Sequence, residues 1–117
     1  MNRSILINID LGKKKATAHI IHVPEARITT CMIIIDRDLE HVLGGMAMRN
    51  QNDVDDPEFG MRLAARRALK HQYRWMLTGE EFAGISHAIR FTLRDLKQKR
   101  EETRDLIVDF IRGKNGK

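Results

Sequence analysis

The sequence predicts an α+β domain: an N-terminal antiparallel sheet of three or four strands, followed by two C-terminal helices of which the last is long. Three observations carry that expectation. Apolar residues alternate with period two near the N-terminus, as in strands with one buried face, and recur at helical spacing after residue 56. Helix-starting residues stand at two places in the second half only. Charge divides at the same boundary: residues 1–56 hold seven Lys/Arg against eight Asp/Glu, and residues 57–117 hold fourteen against eight. A length of 117 residues fits one domain, β-rich over 1–49, helical over 55–112, with a basic tail at 113–117.

The first strand is read from Ile5, Ile7, Ile9 and Leu11, which alternate with Ser4, Leu6, Asn8 and Asp10. Gly12-Lys13-Lys14-Lys15 reads as a hairpin turn, and its lysines discourage edge-to-edge pairing. A second strand, residues 16–23, stops at Pro24. His19 and His22 lie an odd number of residues apart and so face opposite sides of it, which prevents them from sharing a metal. A third strand covers residues 28–35, and its Ile-rich end predicts burial on both faces and a central place in the sheet. Cys31 sits inside this apolar run and reads as core. Between Leu39 and Met48 the pattern fits either a short helix capped by Gly44 or a strand with a bulge at Gly44-Gly45, with strand favoured for Met46–Met48.

The stretch from Asp53 to Met76 is the best-specified helix. Asp55 or Asp56 can accept from the first free backbone N–H groups, and Pro57 suits the first helical position. Acids crowd the start, and Lys70, His71 and Arg74 lie near the end, as the helix dipole favours. Met61, Ala64, Ala65, Ala68, Leu69, Trp75 and Met76 share one arc, while Arg62, Arg66, Arg67, Lys70 and Arg74 occupy the other. No acid occurs between Arg62 and Arg74, so pairs within the helix cannot neutralise that face.

Thr78 and Glu81 form a capping-box pattern for the last helix. Phe82, Ile89, Leu96, Thr103 and Phe110 follow at seven-residue intervals, and neither Pro nor Gly interrupts Ile85 to Arg112. One continuous helix from about Gly79 to Arg112 is therefore expected, with Phe82, Ile89, Leu96 and Phe110 as a self-association seam in a homodimer. Two shorter helices broken near Gln98–Glu102 are the alternative. Arg90, Arg94 and Lys97, with Arg100 and Arg104, make a second cationic stripe.

Several function classes find no support in the residues. The single Cys31 excludes an intramolecular disulfide and points to a reducing, cytoplasmic compartment. No run approaches the roughly 20 apolar residues of a membrane span, and the N-terminus lacks the pattern of a signal peptide. No P-loop, dinucleotide fingerprint, zinc spacing or nucleophile elbow occurs. The acids of residues 49–56 lack the central glycine and distal glutamate of a calcium loop. No catalytic residue, metal ligand or cofactor is assigned.

The segment Gly45 to Leu69 resembles a loose pattern in small bacteriophage-encoded accessory proteins, in which a hairpin ending in Gly-x-Ala leads through an acidic loop to a helix beginning Gly-x-x-x-Ala. Gly45, Ala47, Asp53, Asp55, Gly60, Ala64 and Ala68 carry the match. The resemblance implies an accessory protein and gives these positions architectural roles, without a mechanism.

The leading expectation is a non-enzymatic basic protein that contacts the nucleic-acid backbone through Arg62, Arg66, Arg67, Lys70, Arg74, Arg90, Arg94 and Lys97. The alternative is an interaction or inhibitor module that uses the same cations against an acidic protein. A small enzyme with an acid–base pair assembled in space is the third reading; its mark would be a pocket holding a His and a carboxylate within hydrogen-bond reach.

Overall fold

A computed structural model of the chain describes residues 2–36, 42–71 and 77–115, with the side chains of 104 and 108–115 excepted. Four strands, β1 (Arg3–Asp10), β2 (Lys15–Val23), β3 (Ile28–Ile35) and β4 (Val42–Met48), form one antiparallel sheet in the order β1-β2-β3-β4. Two helices follow, α1 (Pro57–Leu69) and α2 (Gly79–Asn115). The expected α+β order is thus the observed one.

The first two β-connections each have a local cause. Gly12 takes φ +86°, a left-handed conformation that a side chain resists, and its N–H donates to Asp10 Oδ1 at 2.9 Å. Pro24 opens a single 3-10 turn, Pro24–Ala26, between β2 and β3. Between residues 42 and 48 the strand wins over the helix, and Gly44 and Gly45 pair in regular register with Met32 and Cys31 without a bulge. Leu39 lies outside the described residues.

One face of the sheet is built for burial. Cross-strand rows such as Ile7, Ala18, Ile33 and Leu43 point the same way and disappear under the helices. α1 lies on β3 and β4, while α2 touches β1 and α1. Met61, Ala64, Ala65, Ala68 and Leu69 of α1 are buried, as their spacing predicts, and Ile85, Ile89 and Leu93 of α2 complete the core. β3 is central, as expected, but its second face is open: Met32 is 46% exposed and Ile34 half-buried. Its apolar composition therefore exceeds what the single chain covers.

Two helix boundaries differ in how well the sequence marks them. Asp56 is the N-cap of α1, its Oδ1 accepting from the Phe59 N–H at 3.1 Å. The same helix stops at Leu69, short of the expected Met76. Lys70 leaves helical geometry at φ −93°, ψ 6°, and its N–H is shared between the carbonyls of Arg66 and Arg67, both at 3.2 Å. His71 N–H then reaches Ala68 O at 3.0 Å. The i to i−3 bonds, to Arg67 and to Ala68, tighten the last turn and end it without any Gly or Pro to announce the stop. Trp75 and Met76 lie outside the described residues.

α2 begins with the full capping box: Thr78 N–H donates to Glu81 Oε1 at 3.0 Å, and Glu81 N–H to Thr78 Oγ1 at 3.1 Å. The helix is continuous for 37 residues, about 55 Å at 1.5 Å per residue. Beyond Leu93 every fully described side chain is at least partly exposed, so the distal half leaves the sheet and gives the molecule its 61 Å long axis.

Candidate binding groove

α1 and α2 pack side by side on the sheet and leave a groove of about 550 Å³ between their outer surfaces. Arg62 and Arg66 of α1 and Lys70 at its C-cap line one wall, and Arg90 of α2 the other. The i, i+4, i+8 spacing of the α1 cations puts them in one row along that wall. Ala65, Leu69, Phe82, Ile89 and Leu93 form an apolar floor, and among the described residues no acid lines the groove. Arg94 and Lys97 continue the Arg90 row along α2 and are exposed. Among the described residues, no hydrogen bond or ion pair engages the side chain of Arg62, Arg66, Lys70, Arg90, Arg94 or Lys97.

Two arginines of the cationic stripes are spent differently. Arg67 swings to the sheet edge, where its Nη1 donates to the Met46 carbonyl at 2.8 Å. It thereby satisfies an acceptor on β4, a strand with no neighbour on that side. Arg100 turns back toward the start of α1 and pairs with Glu58 through Nε–Oε1 at 3.1 Å. Glu58 is only 8% exposed, and its Oε2 has no partner among the described residues. Arg74 lies outside the described residues.

The expected seam along α2 is divided by the fold. Ile89, at 2% exposure, belongs to the intramolecular core, and Phe82 packs against that core. Leu96 is 37% exposed. The Phe110 side chain lies outside the described ones.

A second cluster escaped the sequence reading. His22 is 4% exposed; its Nδ1 meets Thr29 Oγ1 at 2.7 Å and its Nε2 meets Asp55 Oδ1 at 3.0 Å. Arg49 adds its Nε at 3.6 Å from the same Asp55 oxygen and donates from Nη1 to the Asp53 carbonyl. These groups border a cavity of about 120 Å³. A His and a carboxylate thus stand within hydrogen-bond reach beside a cavity, with the Thr29 hydroxyl on the other ring nitrogen. The arrangement ties the acidic loop to the sheet. The faint sequence signal for it was His22 and Thr29 sharing one face of a hairpin, opposite an acid-rich loop whose fold no pattern specifies.

His19 is on the open face of the sheet, bonded to Ser4 Oγ at 2.7 Å. Cys31 is fully buried, and burial pushes its thiol up to about 12. A cavity of about 750 Å³ at the β1–β2 hairpin holds Lys13 and Lys15, but Asp10 and Asp36 balance them. Among the described residues no group of three His, Cys, Asp or Glu is placed to hold a metal, and no helix is long and apolar enough to cross a membrane. No family model, curated protein or solved structure matches the chain.

Proposed function

We propose that the protein binds the backbone of nucleic acid in the groove between α1 and α2. The observation that carries this reading is the row Arg62, Arg66 and Lys70 facing Arg90, four cations that among the described residues have no partner and share a groove with no acid. Each phosphate neutralised by such a group releases condensed counterions, so affinity grows with the number of cations engaged. Arg94 and Lys97 extend the track. The groove displays no polar base-reading set, which makes the contact one of charge and shape, with little sequence preference.

Fluorescence anisotropy with mixed-sequence DNA and RNA oligonucleotides tests this. Engagement of four to six phosphates predicts a plot of log affinity against log salt with a slope of about −3 to −5. Arg62→Gln, Arg66→Gln and Arg90→Gln should each flatten it by about one. Arg67→Gln, whose guanidinium is committed to Met46, should flatten it less. Absence of salt-sensitive binding to either nucleic acid would overturn the reading. The apolar floor favours a second one, an acidic amphipathic segment of a protein partner. Binding of an acidic amphipathic peptide that Leu69→Asp abolishes, together with indifference to oligonucleotides, would establish it instead.

A further inference from the structure

The helices cover one side of the sheet, and the other side carries large apolar residues between Ser4, Asn8, Thr17, His19 and Thr30, where an antiparallel sheet in water is ordinarily polar. Leu6, Ile21, Met32, Ile34, Met46 and Met48 all stand on that open face, which the cross-strand registers Leu6–His19–Met32–Gly44 and Ser4–Ile21–Thr30–Met46 fix. Leu6 is 62% and Met48 69% exposed. Contiguous apolar patches of several hundred Å² on a soluble chain mark interaction surfaces. We propose that this face is the interface of a homodimer, with a second copy of the chain packed sheet against sheet.

Charge and area both select a second copy as the occupant. Among the described residues the charges on this face stand at one end, where Asp10 and Lys15 are cross-strand partners and Asp36 accepts from the Lys15 N–H. Two such faces therefore meet without like-charge repulsion, although each chain carries a formal +5. The cationic helices lie on the opposite layer, so pairing leaves two sheets between the two positive surfaces. That separation exceeds the roughly 8–10 Å over which charges interact in physiological salt. A partner with a charged docking surface would find nothing here to pair with. Four strands of about eight residues, at about 4.8 Å between strands and 3.3 Å per residue, present about 500 Å² per copy. Two copies bury about 1,000 Å², the lower bound for a specific interface. The arrangement also explains why β3 has the composition of a strand buried on both faces while the single chain covers one.

The interface is independent of the groove, and its test reads mass and protection. In sedimentation of the full chain at tens of micromolar, the expected species has twice the 13.6 kDa chain mass. Met32→Lys and Met46→Lys, at exposed positions, should shift it to the single mass with an unchanged circular dichroism spectrum. Leu106→Lys and Ile107→Lys, on the exposed distal part of α2, should leave the dimer intact. Peroxide footprinting of the unmodified chain supplies a readout that needs no variant. Met32 and Met46 should oxidise several-fold more slowly in concentrated than in dilute protein, while buried Met61 stays protected in both. A single-mass species at all concentrations, dissociation by the α2 variants in place of the sheet variants, or concentration-independent oxidation of Met32 and Met46 would each overturn the proposal.

Discussion

Gly45 of β4 and Ala68 of α1 meet backbone to backbone. A Cβ placed on Gly45 would lie 2.2 Å from the Ala68 nitrogen and 2.3 Å from the Ala64 carbonyl oxygen. The helix rests on the strand with no side chain between them, which is why small residues stand on both surfaces. Gly45→Ala must lift α1 off the sheet and should cost about 3 kcal/mol or more, the upper range for overpacking. Gly44→Ala, whose Cβ would meet nothing within 4 Å, should cost under about 1 kcal/mol by the same comparison. Urea midpoints of the two variants check the contrast.

The His22 cluster predicts a second pattern. Thr29→Val leaves the buried Nδ1 of His22 without its partner and should cost about 1–3 kcal/mol, the penalty of a buried unsatisfied polar group. Asp55→Asn keeps an acceptor at the other nitrogen and should cost less. Because Asp55 also meets Arg49, hydrogen exchange in either variant should speed up across residues 49–56 before it does in β1. Uniform acceleration across the sheet would show that the cluster does not serve the loop.

Glu58 and Arg100 join the start of α1 to the middle of α2. Arg100→Ala strands a nearly buried carboxylate, but the guanidinium is about half exposed, so solvent screening reduces the loss to about 1–2 kcal/mol. Glu58→Gln in the same chain should restore part of it. A double-mutant cycle on chemical unfolding reads the coupling, and strict additivity would contradict the pair.

The capping box of α2 is acid-sensitive with a defined sign. The Thr78 backbone N–H, donating to the Glu81 carboxylate, holds that group below its ordinary value of 4.5. A depressed folded pKa contributes stability above the ordinary value and loses it as pH falls through the lowered one. Wild type should therefore exceed Glu81→Gln in thermal midpoint at neutral pH, and the gap should close in acid. A gap independent of pH would assign the effect to packing.

Much of this architecture was legible because it rests on local rules. Alternation around Ile7 and Ile9, the Asp56-Pro57 start and the Thr78–Glu81 box each specify structure within a few residues, and each is present. The close of α1 at Leu69 was not legible, since the turn is made by backbone bonds at Lys70 and His71 that any residue could form. The cationic surface was readable as composition, but its division was not. Among the described residues Arg62 and Arg66 have no partner while Arg67 and Arg100 find Met46 and Glu58, because those partners come from other elements at 21 and 42 positions' remove. The ties of His22 were not legible for the same reason: its partner Asp55 is 33 residues away. The seam drawn through Phe82 and Ile89 assumed an isolated helix, whereas the proximal half of α2 already has a sheet to lie on.

The unbroken run of α2 past Arg100, where the pair with Glu58 still ties it to α1, has a mechanical consequence. Roughly 15 further residues at 1.5 Å each make a spoke of about 22 Å, comparable with the 19 Å thickness of the molecule. A group tethered at its tip is held at a fixed stand-off from the sheet and turned by the same angle as the body that carries it. The helix is thus a ruler as well as a wall of the groove, and its length sets how far apart two things joined by this protein would be kept.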